Sequence, residues 1–136
     1  MLRIFLDANV LFSAAYREGA GLLRLWEARE TEVITSGYAA EEARRNLETA
    51  AAQARLAKLL QRTNIVAEAP ETQLPGSIQL AEKDRPILQA AIAGGATHLI
   101  TGDLRDFGAF LGKSGAGVRI ETPAEFLRQR GRTSRS

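Results

Sequence analysis

The 136-residue chain contains no cysteine, so it has neither a disulfide framework nor a cysteine-ligated zinc site. Its apolar runs fall well short of the roughly 20 residues that cross a bilayer. The first residues lead directly into a predicted strand and do not resemble a signal peptide. These absences argue against a membrane protein, and we expect a cytoplasmic, globular protein.

Histidine is almost absent. His98, the only one, stands at the start of a predicted strand, at the opposite end from the acidic residues described below, so we do not expect it in the functional site. A complete P-loop is missing as well, because Lys113 follows Gly112 but the motif requires another glycine where Phe107 stands. Neither histidine chemistry nor P-loop nucleotide binding is indicated.

Basic charge is concentrated at the end of the chain. All 16 acidic residues lie at or before Glu125, whereas four of the 18 basic residues follow Leu127, so residues 1–127 carry 14 basic and 16 acidic groups. We therefore predict a folded domain over residues 1–127 and a basic, disordered tail over 128–136. The tail either remains solvated or contacts phosphate groups, and the sequence leaves both alternatives open.

Short apolar runs alternate with helical patterns along the chain, without an internal repeat or linker. This alternation predicts an α/β domain with right-handed crossovers, a three-layer α/β/α architecture around a mostly parallel, five-stranded sheet. The predicted strands are Arg3–Asp7, Glu32–Thr35, Asn64–Ala67, Thr97–Thr101 and Val118–Glu121. The predicted helices are Ala8–Ser13 with Asn9 as its N-cap, 20–30, one capped by Ser36, 49–62, Leu80–Ala93, which Gly94-Gly95 ends, and one from Pro123 through Leu127.

Acidic residues recur where strands end or helices begin. Asp7 ends the first strand, Asp103 and Asp106 follow the fourth, Glu42 follows the second, and Asp84 starts an Ala-rich helix. In a parallel α/β sheet the carboxyl ends of the strands share one edge, where ligands bind. Carboxylates gathered there repel one another, so the cluster predicts a site for divalent cations.

Several of these acids also have a purely structural interpretation. Asp7 could cap the following helix, although a buried Asp is unfavourable unless it is paired or binds a metal. Asp84 could complement a helix dipole, and Asp106 could bond the local backbone. Glu41 and Glu42 differ by about 100° around a helix, so only one of them can face the site.

Two neutral polar residues accompany the acids. Thr101 lies two residues before Asp103, and side chains at that spacing on a strand share a face. Asn9 stands two residues after Asp7. Both could orient water or carboxylates in the site, and both could be simple caps.

The order of these motifs resembles the PIN-domain (PilT N-terminal) nucleases. The resemblance covers residues 1 to about 127 and rests on four segments in the family's order. They are Phe5-Leu6-Asp7-Ala8-Asn9-Val10-Leu11, then Ser36 through Glu42 to Leu47, then Asp84 followed by Ile87, Leu88 and Ala91, and finally Leu99-Ile100-Thr101-Gly102-Asp103-Leu104-Arg105-Asp106-Phe107.

The resemblance implies a metal-dependent ribonuclease that uses Mg²⁺ or Mn²⁺ and cleaves RNA. It assigns Asp7, Asp84 and Asp103 to metal binding, with Asp106 as an outer ligand. Glu42 is favoured over its neighbour as the fourth catalytic acid, because it has the family's spacing to Leu47.

Many small members of the family are VapC-type toxins held by an antitoxin, and dimers are frequent. We expect a homodimer here, formed by the surface around Trp26 and the Ala-rich helix at 49–62. Two alternatives within the family are an RNA-processing nuclease without an antitoxin and an inactive RNA- or protein-binding module. A phosphatase with Asp7 as nucleophile would need a second aspartate two residues later, where this chain has Asn9.

Overall fold

A sheet of parallel strands organises the part of the chain that the computed structural model describes, which is residues 1–67, 85–102, 114–115 and 117–134. Its strands are β1 (Leu2–Leu6), β2 (Thr31–Ser36), β3 (Asn64–Val66), β4 (His98–Ile100), β5 (Ser114–Gly115) and β6 (Val118–Glu121). They are arranged in the order β3-β2-β1-β4-β6-β5, and every pairing is parallel except that of β5 with β6.

The α/β fold class and all five predicted strands are therefore confirmed. Strand β5 was not predicted, because a two-residue strand between glycines has no apolar pattern of its own. The central strand β1 is buried at Ile4, Phe5 and Leu6. Such continuous apolar runs are typical of parallel strands that are covered on both faces.

Helices connect the strands close to the predicted positions. They are α1 (Ala8–Tyr16), a 3₁₀ helix (Gly21–Glu27), α2 (Gly37–Asn46), α3 (Ala50–Gln61), α4 (Arg85–Ala93) and α5 (Pro123–Ser134). Ser36 caps α2 as predicted, since its hydroxyl accepts a hydrogen bond from the amide of Ala39 at 3.1 Å. The predicted helix near 20–30 is a 3₁₀ helix, and the first residues of the predicted helix Leu80–Ala93 lie outside the described part of the chain.

The last helix is longer than predicted. The sequence predicts a helix from Pro123 through Leu127 and a disordered tail over 128–136, whereas α5 continues to Ser134. Arg130 donates a hydrogen bond to the carbonyl of Arg29, which ties this part of α5 to the residues before β2.

The described residues contain no helix with the length and hydropathy of a membrane span.

A glycine ends helix α4, as the sequence predicted. Gly95 has a φ of +73°. Its amide donates to the carbonyl of Ile92 at 3.1 Å, and the amide of Ala96 donates to the carbonyl of Ala91 at 2.9 Å. This is the Schellman arrangement, which closes a helix with a left-handed residue. The turn delivers the chain into β4, so it sets where that strand begins.

Replacing this glycine should destabilise the fold without touching the predicted site. We expect Gly95→Ala to lower the free energy of unfolding by about 1–2 kcal/mol, because a Cβ is unfavourable at positive φ. Gly95→Asn should lose less, since Asn tolerates this conformation. Chemical denaturation would measure both, with Gly21→Ala as the control, where the added Cβ meets nothing within 4 Å. A Gly95→Ala protein as stable as the Gly21→Ala control would contradict the expectation.

Candidate active site

The order of the strands changes direction between β1 and β4. From β1 the chain moves outward through β2 to β3, and then it returns to the other side of β1 as β4. In parallel α/β sheets the crevice outside the carboxyl ends of strands at such a point is where ligands bind. Asp7 and Thr101 directly follow these two strands, and the amide of Asp7 donates to the carbonyl of Ile100 at 3.1 Å.

Asp7 is a buried carboxylate that accepts hydrogen bonds from three different groups. Its side chain is 4% exposed, and Oδ1 accepts from the amide of Ala8 at 2.7 Å. Oδ2 accepts from Oγ1 of Thr101 at 2.8 Å and from Nδ2 of Asn9 at 3.2 Å. These donors, with the amino-terminal dipole of α1, stabilise the ionised form of a group that would otherwise be unfavourable to bury.

Asp7 is also the N-cap of α1. The structural interpretation raised from the sequence is therefore correct, and the proposed capping by Asn9 is wrong, because the helix already begins at Ala8. Capping and ligand binding do not exclude one another. The cap fixes the direction of the carboxylate at the edge of the sheet, which is what a ligand-binding group requires.

Asn9 connects the two chain segments that meet at this edge. Besides its bond to Asp7, its Nδ2 lies 3.5 Å from Oγ1 of Thr101, and its Oδ1 accepts from the amide of Gly102 at 2.9 Å. The side chain thus joins the first turn of α1 to the residue immediately before Asp103. The structure brings Asp7, Asn9 and Thr101 together. It also adds the amide of Gly102, which no side-chain pattern in the sequence predicts.

Glu42 lies in the second turn of α2, which starts directly after β2 at the same edge of the sheet. It is half-buried, and within the described ranges its carboxylate has no hydrogen bond or ion pair. Glu41 is exposed and forms a bidentate ion pair with Arg44. Hydrogen bonding to Arg44 lowers the pKa of the Glu41 carboxyl. The surface pair occupies Glu41, so the preference for Glu42 has a physical reason.

The other predicted ligands cannot be compared with the structure. Asp84, Asp103 and Asp106 lie outside the described residues. Among the residues that are described, no three histidine, aspartate or glutamate side chains gather as a metal site would require. The geometry available is that of Asp7, its supporting residues Asn9 and Thr101, and Glu42 on the adjoining helix.

Comparison with known proteins adds to this geometry. A family model described as PIN domain matches residues 3–105. Among solved structures the chain is similar to that of VapBC2 from Rickettsia felis bound to a DNA fragment from their promoter, with a TM-score of 0.63, 15% sequence identity, and coverage of 89% of this chain and 98% of that chain. At that identity the likeness shows a common fold. No curated protein shows a significant sequence match.

Removing the hydroxyl of Thr101 should destabilise the protein more than an equivalent change nearby. Thr101→Val should lower the free energy of unfolding by about 2–3 kcal/mol, because it leaves a buried carboxylate short of a donor. The matched control is Thr35→Val, since Thr35 is also buried but donates to the neutral carbonyl of Leu6 at 2.8 Å. That change should cost about 1 kcal/mol.

Urea denaturation of the two variants and of Thr101→Ser, which keeps the hydroxyl, would test this. Equal losses in Thr101→Val and Thr35→Val would mean that Asp7 does not depend on this donor.

Proposed function

Because the chain belongs to the PIN-domain family, we propose that it is a metal-dependent ribonuclease that hydrolyses phosphodiester bonds in RNA. One observation carries the proposal most directly. A buried, oriented carboxylate, that of Asp7, lies at the point where the strand order reverses, with Thr101 and Asn9 as its donors. Beyond its bond to the amide of Ala8 as the cap of α1, these two side chains fix the direction of the carboxylate at this edge of the sheet.

The chemistry of the donor set fits Mg²⁺ or Mn²⁺, which prefer carboxylate oxygens. We assign Asp7, Asp84 and Asp103 as the ligands, with Asp106 as an outer ligand. Such an ion, when bound, neutralises the phosphate, promotes ionisation of the attacking water and stabilises the leaving oxygen.

The supporting residues have the task of keeping the ligands in place. Thr101 and Asn9 orient Asp7, and Asn9 also holds the amide of Gly102, so the two segments that carry Asp7 and Asp103 are joined before any ion binds. Preorganisation of this kind reduces the reorganisation needed during the reaction. Glu42, which has no described partner, supports a second ion or holds the attacking water.

We further propose that the chain is the toxin of a toxin–antitoxin pair in the cytoplasm. The fold shared with VapBC2 and the PIN-domain match support this proposal, which implies a protein antitoxin as partner and RNA as substrate. Induced expression in a bacterium, with growth and RNA integrity followed, would separate a toxin from an RNA-processing nuclease that cells tolerate.

A homodimer through helix α3 is the third part of the proposal. Four alanines on the outer side of α3 are exposed, namely Ala50, Ala51, Ala54 and Ala57. Such small side chains allow a second helix to approach closely. Trp26, which the sequence analysis assigned to the same surface, is half-buried and donates to Oγ1 of Thr63 at 2.9 Å. It therefore supports the end of α3 from within the chain.

Cleavage of a mixed RNA pool tests the catalytic assignment. Asp7→Asn and Glu42→Gln should each lower the Mg²⁺-dependent cleavage rate at least about 100-fold, since each removes a group that holds the ion or the water. The matched control is Glu41→Gln, which changes the adjacent, exposed carboxylate and should leave the rate within about twofold.

Thermal unfolding with and without Mg²⁺ provides a readout that does not depend on turnover. The ion should raise the melting temperature of the wild type and of Glu41→Gln, and hardly that of Asp7→Asn. If the wild type bound RNA but neither cleaved it nor responded to the ion, the inactive binding module would replace the nuclease proposal.

For the dimer, we expect Ala54→Arg to shift the protein from dimer to monomer in light scattering at about 50 µM, because a charged, bulky side chain would have to be desolvated between two helices. Ser13→Arg, an equivalent change at an exposed position of α1, should leave the dimer intact. A wild-type protein that is monomeric at this concentration would refute the dimer.

A further inference from the structure

Two buried threonines flank the strand that leads to Asp7, one from each neighbouring strand. Thr101, at the end of β4, donates to the Asp7 carboxylate. Thr35 lies on β2, on the other side of β1, and its Oγ1 donates to the carbonyl of Leu6 at 2.8 Å. Both threonines are completely buried. Thr101 thus acts on the carboxylate itself, whereas Thr35 acts on the peptide bond that precedes it.

The peptide bond between Leu6 and Asp7 is held from both sides. Its N–H group, that of Asp7, donates to the carbonyl of Ile100 on β4 at 3.1 Å. Its carbonyl group, that of Leu6, accepts from the hydroxyl of Thr35 on β2. A planar peptide unit that is bonded at both of its polar groups has little freedom to rotate, and the Cα of Asp7 belongs to that unit. The two neighbouring strands therefore fix the point from which the carboxylate projects.

The hydroxyl of Thr35 acts where the register of β1 with β2 comes to its end. The two strands pair up to Phe5 with Ile34. Leu6 and Thr35 are the next residues of each strand, and there the threonine side chain supplies a hydrogen bond between them. The contact between the two strands thus extends to the residue immediately before Asp7.

The residue after Thr35 connects the same point to helix α2. Ser36 is also buried, and its hydroxyl caps α2 by accepting from the amide of Ala39 at 3.1 Å. Two adjacent hydroxyl groups therefore have complementary tasks, since one holds β1 and the other starts the helix that carries Glu42. Because no residue separates these two anchors, the position of α2 relative to β1 is set over a very short path.

We propose that Thr35 is a positioning residue of the metal site, which fixes the peptide bond before Asp7, and with it the carboxylate, relative to helix α2 and Glu42. The inference rests on the proposed nuclease function. It assigns Thr35 no contact with the ion, the RNA or the attacking water.

Thr35→Val removes the hydroxyl while keeping the shape of the side chain. A methyl group then takes the place of Oγ1, which lies 2.8 Å from the Leu6 oxygen. Carbon and oxygen atoms in contact are about 3.3–3.6 Å apart, so the carbonyl must move by about half an ångström. Site geometry has to be held to within about 0.5 Å, and a misplacement of about 1 Å can lower a rate about 100-fold. The expected loss for Thr35→Val is therefore about tenfold.

Two measurements on the full chain would test the proposal, namely Mg²⁺-dependent cleavage of the RNA pool and calorimetric binding of Mn²⁺ without RNA. Thr35→Val should cleave about tenfold more slowly and bind Mn²⁺ about tenfold more weakly than the wild type, as expected when a group that orients a ligand is lost. Thr35→Ser, which keeps the hydroxyl, should restore both quantities to within about threefold of the wild type.

Thr63→Val is the matched control for a purely structural loss. Thr63 is also buried, and its hydroxyl donates to the carbonyl of Leu59 at 2.6 Å and accepts from Nε1 of Trp26 at 2.9 Å. The change removes two hydrogen bonds that do not involve β1, so it should destabilise the fold at least as much as Thr35→Val. At a temperature where all variants are folded, it should leave the cleavage rate and the Mn²⁺ affinity within about twofold.

Equal cleavage rates and Mn²⁺ affinities in Thr35→Val and Thr63→Val would overturn the positioning role and leave the proposed function intact. The same holds if Thr35→Ser is as impaired as Thr35→Val, because the hydroxyl would then not be the group that matters. A wild type that neither cleaves RNA nor binds Mn²⁺ would instead refute the proposed function, and this inference with it.

Discussion

The buried carboxylate of Asp7 imposes a constraint on everything around it. An ionised group that is 4% exposed needs hydrogen-bond donors, and here one comes from the backbone of α1, one from its first turn and one from the end of β4. These donors can meet only if β1 and β4 are neighbours in register, so that Leu6 pairs with Ile100 and the next residues face one another. The geometry of the site therefore depends directly on the register in which the two central strands pair.

Much of the fold could be predicted because its signals are local. Each parallel strand is a short apolar run, and the caps at Ser36 and Gly95 use side-chain and backbone chemistry that is visible within a few residues. The errors arose where the decisive interaction is distant or weak. Nothing local distinguishes a 3₁₀ helix at Gly21–Glu27 from an α-helix, and the continuation of α5 to Ser134 includes a contact between Arg130 and Arg29, about a hundred residues apart in sequence.

For the site, the sequence could indicate which side chains approach one another but not how they bond. Alternation along β4 and the shared edge of the sheet suffice to bring Thr101 to Asp7. The hydrogen bond from the amide of Gly102 to Asn9 could not be predicted, because the sequence does not distinguish one backbone amide from another. Glu121 also ends a predicted strand, but it belongs to none of the four segments on which the family resemblance rests.

Asp7 and Glu121 show why burial and position alone do not determine the chemistry of an acid. Both are buried at the carboxyl end of a parallel strand. Asp7 accepts hydrogen bonds from the amide of Ala8, from Asn9 and from Thr101, whereas among the described residues Glu121 has the ion-pairing groups of His98 and Arg119 at 3.4 Å. Since Glu121 pairs with Ile100, its side chain leaves the sheet on the face opposite to that of Thr101. In a medium of low dielectric, the donors of Asp7 fix both its charge and its direction, which suits a group that must bind a cation. Glu121 instead lies between His98 and Arg119, and among the described residues its carboxylate has no hydrogen bond. The carboxyl edge of the sheet thus combines a hydrogen-bonded carboxylate on one face with an ion-paired carboxylate on the other, and within the described residues the hydrogen-bond donors distinguish the two.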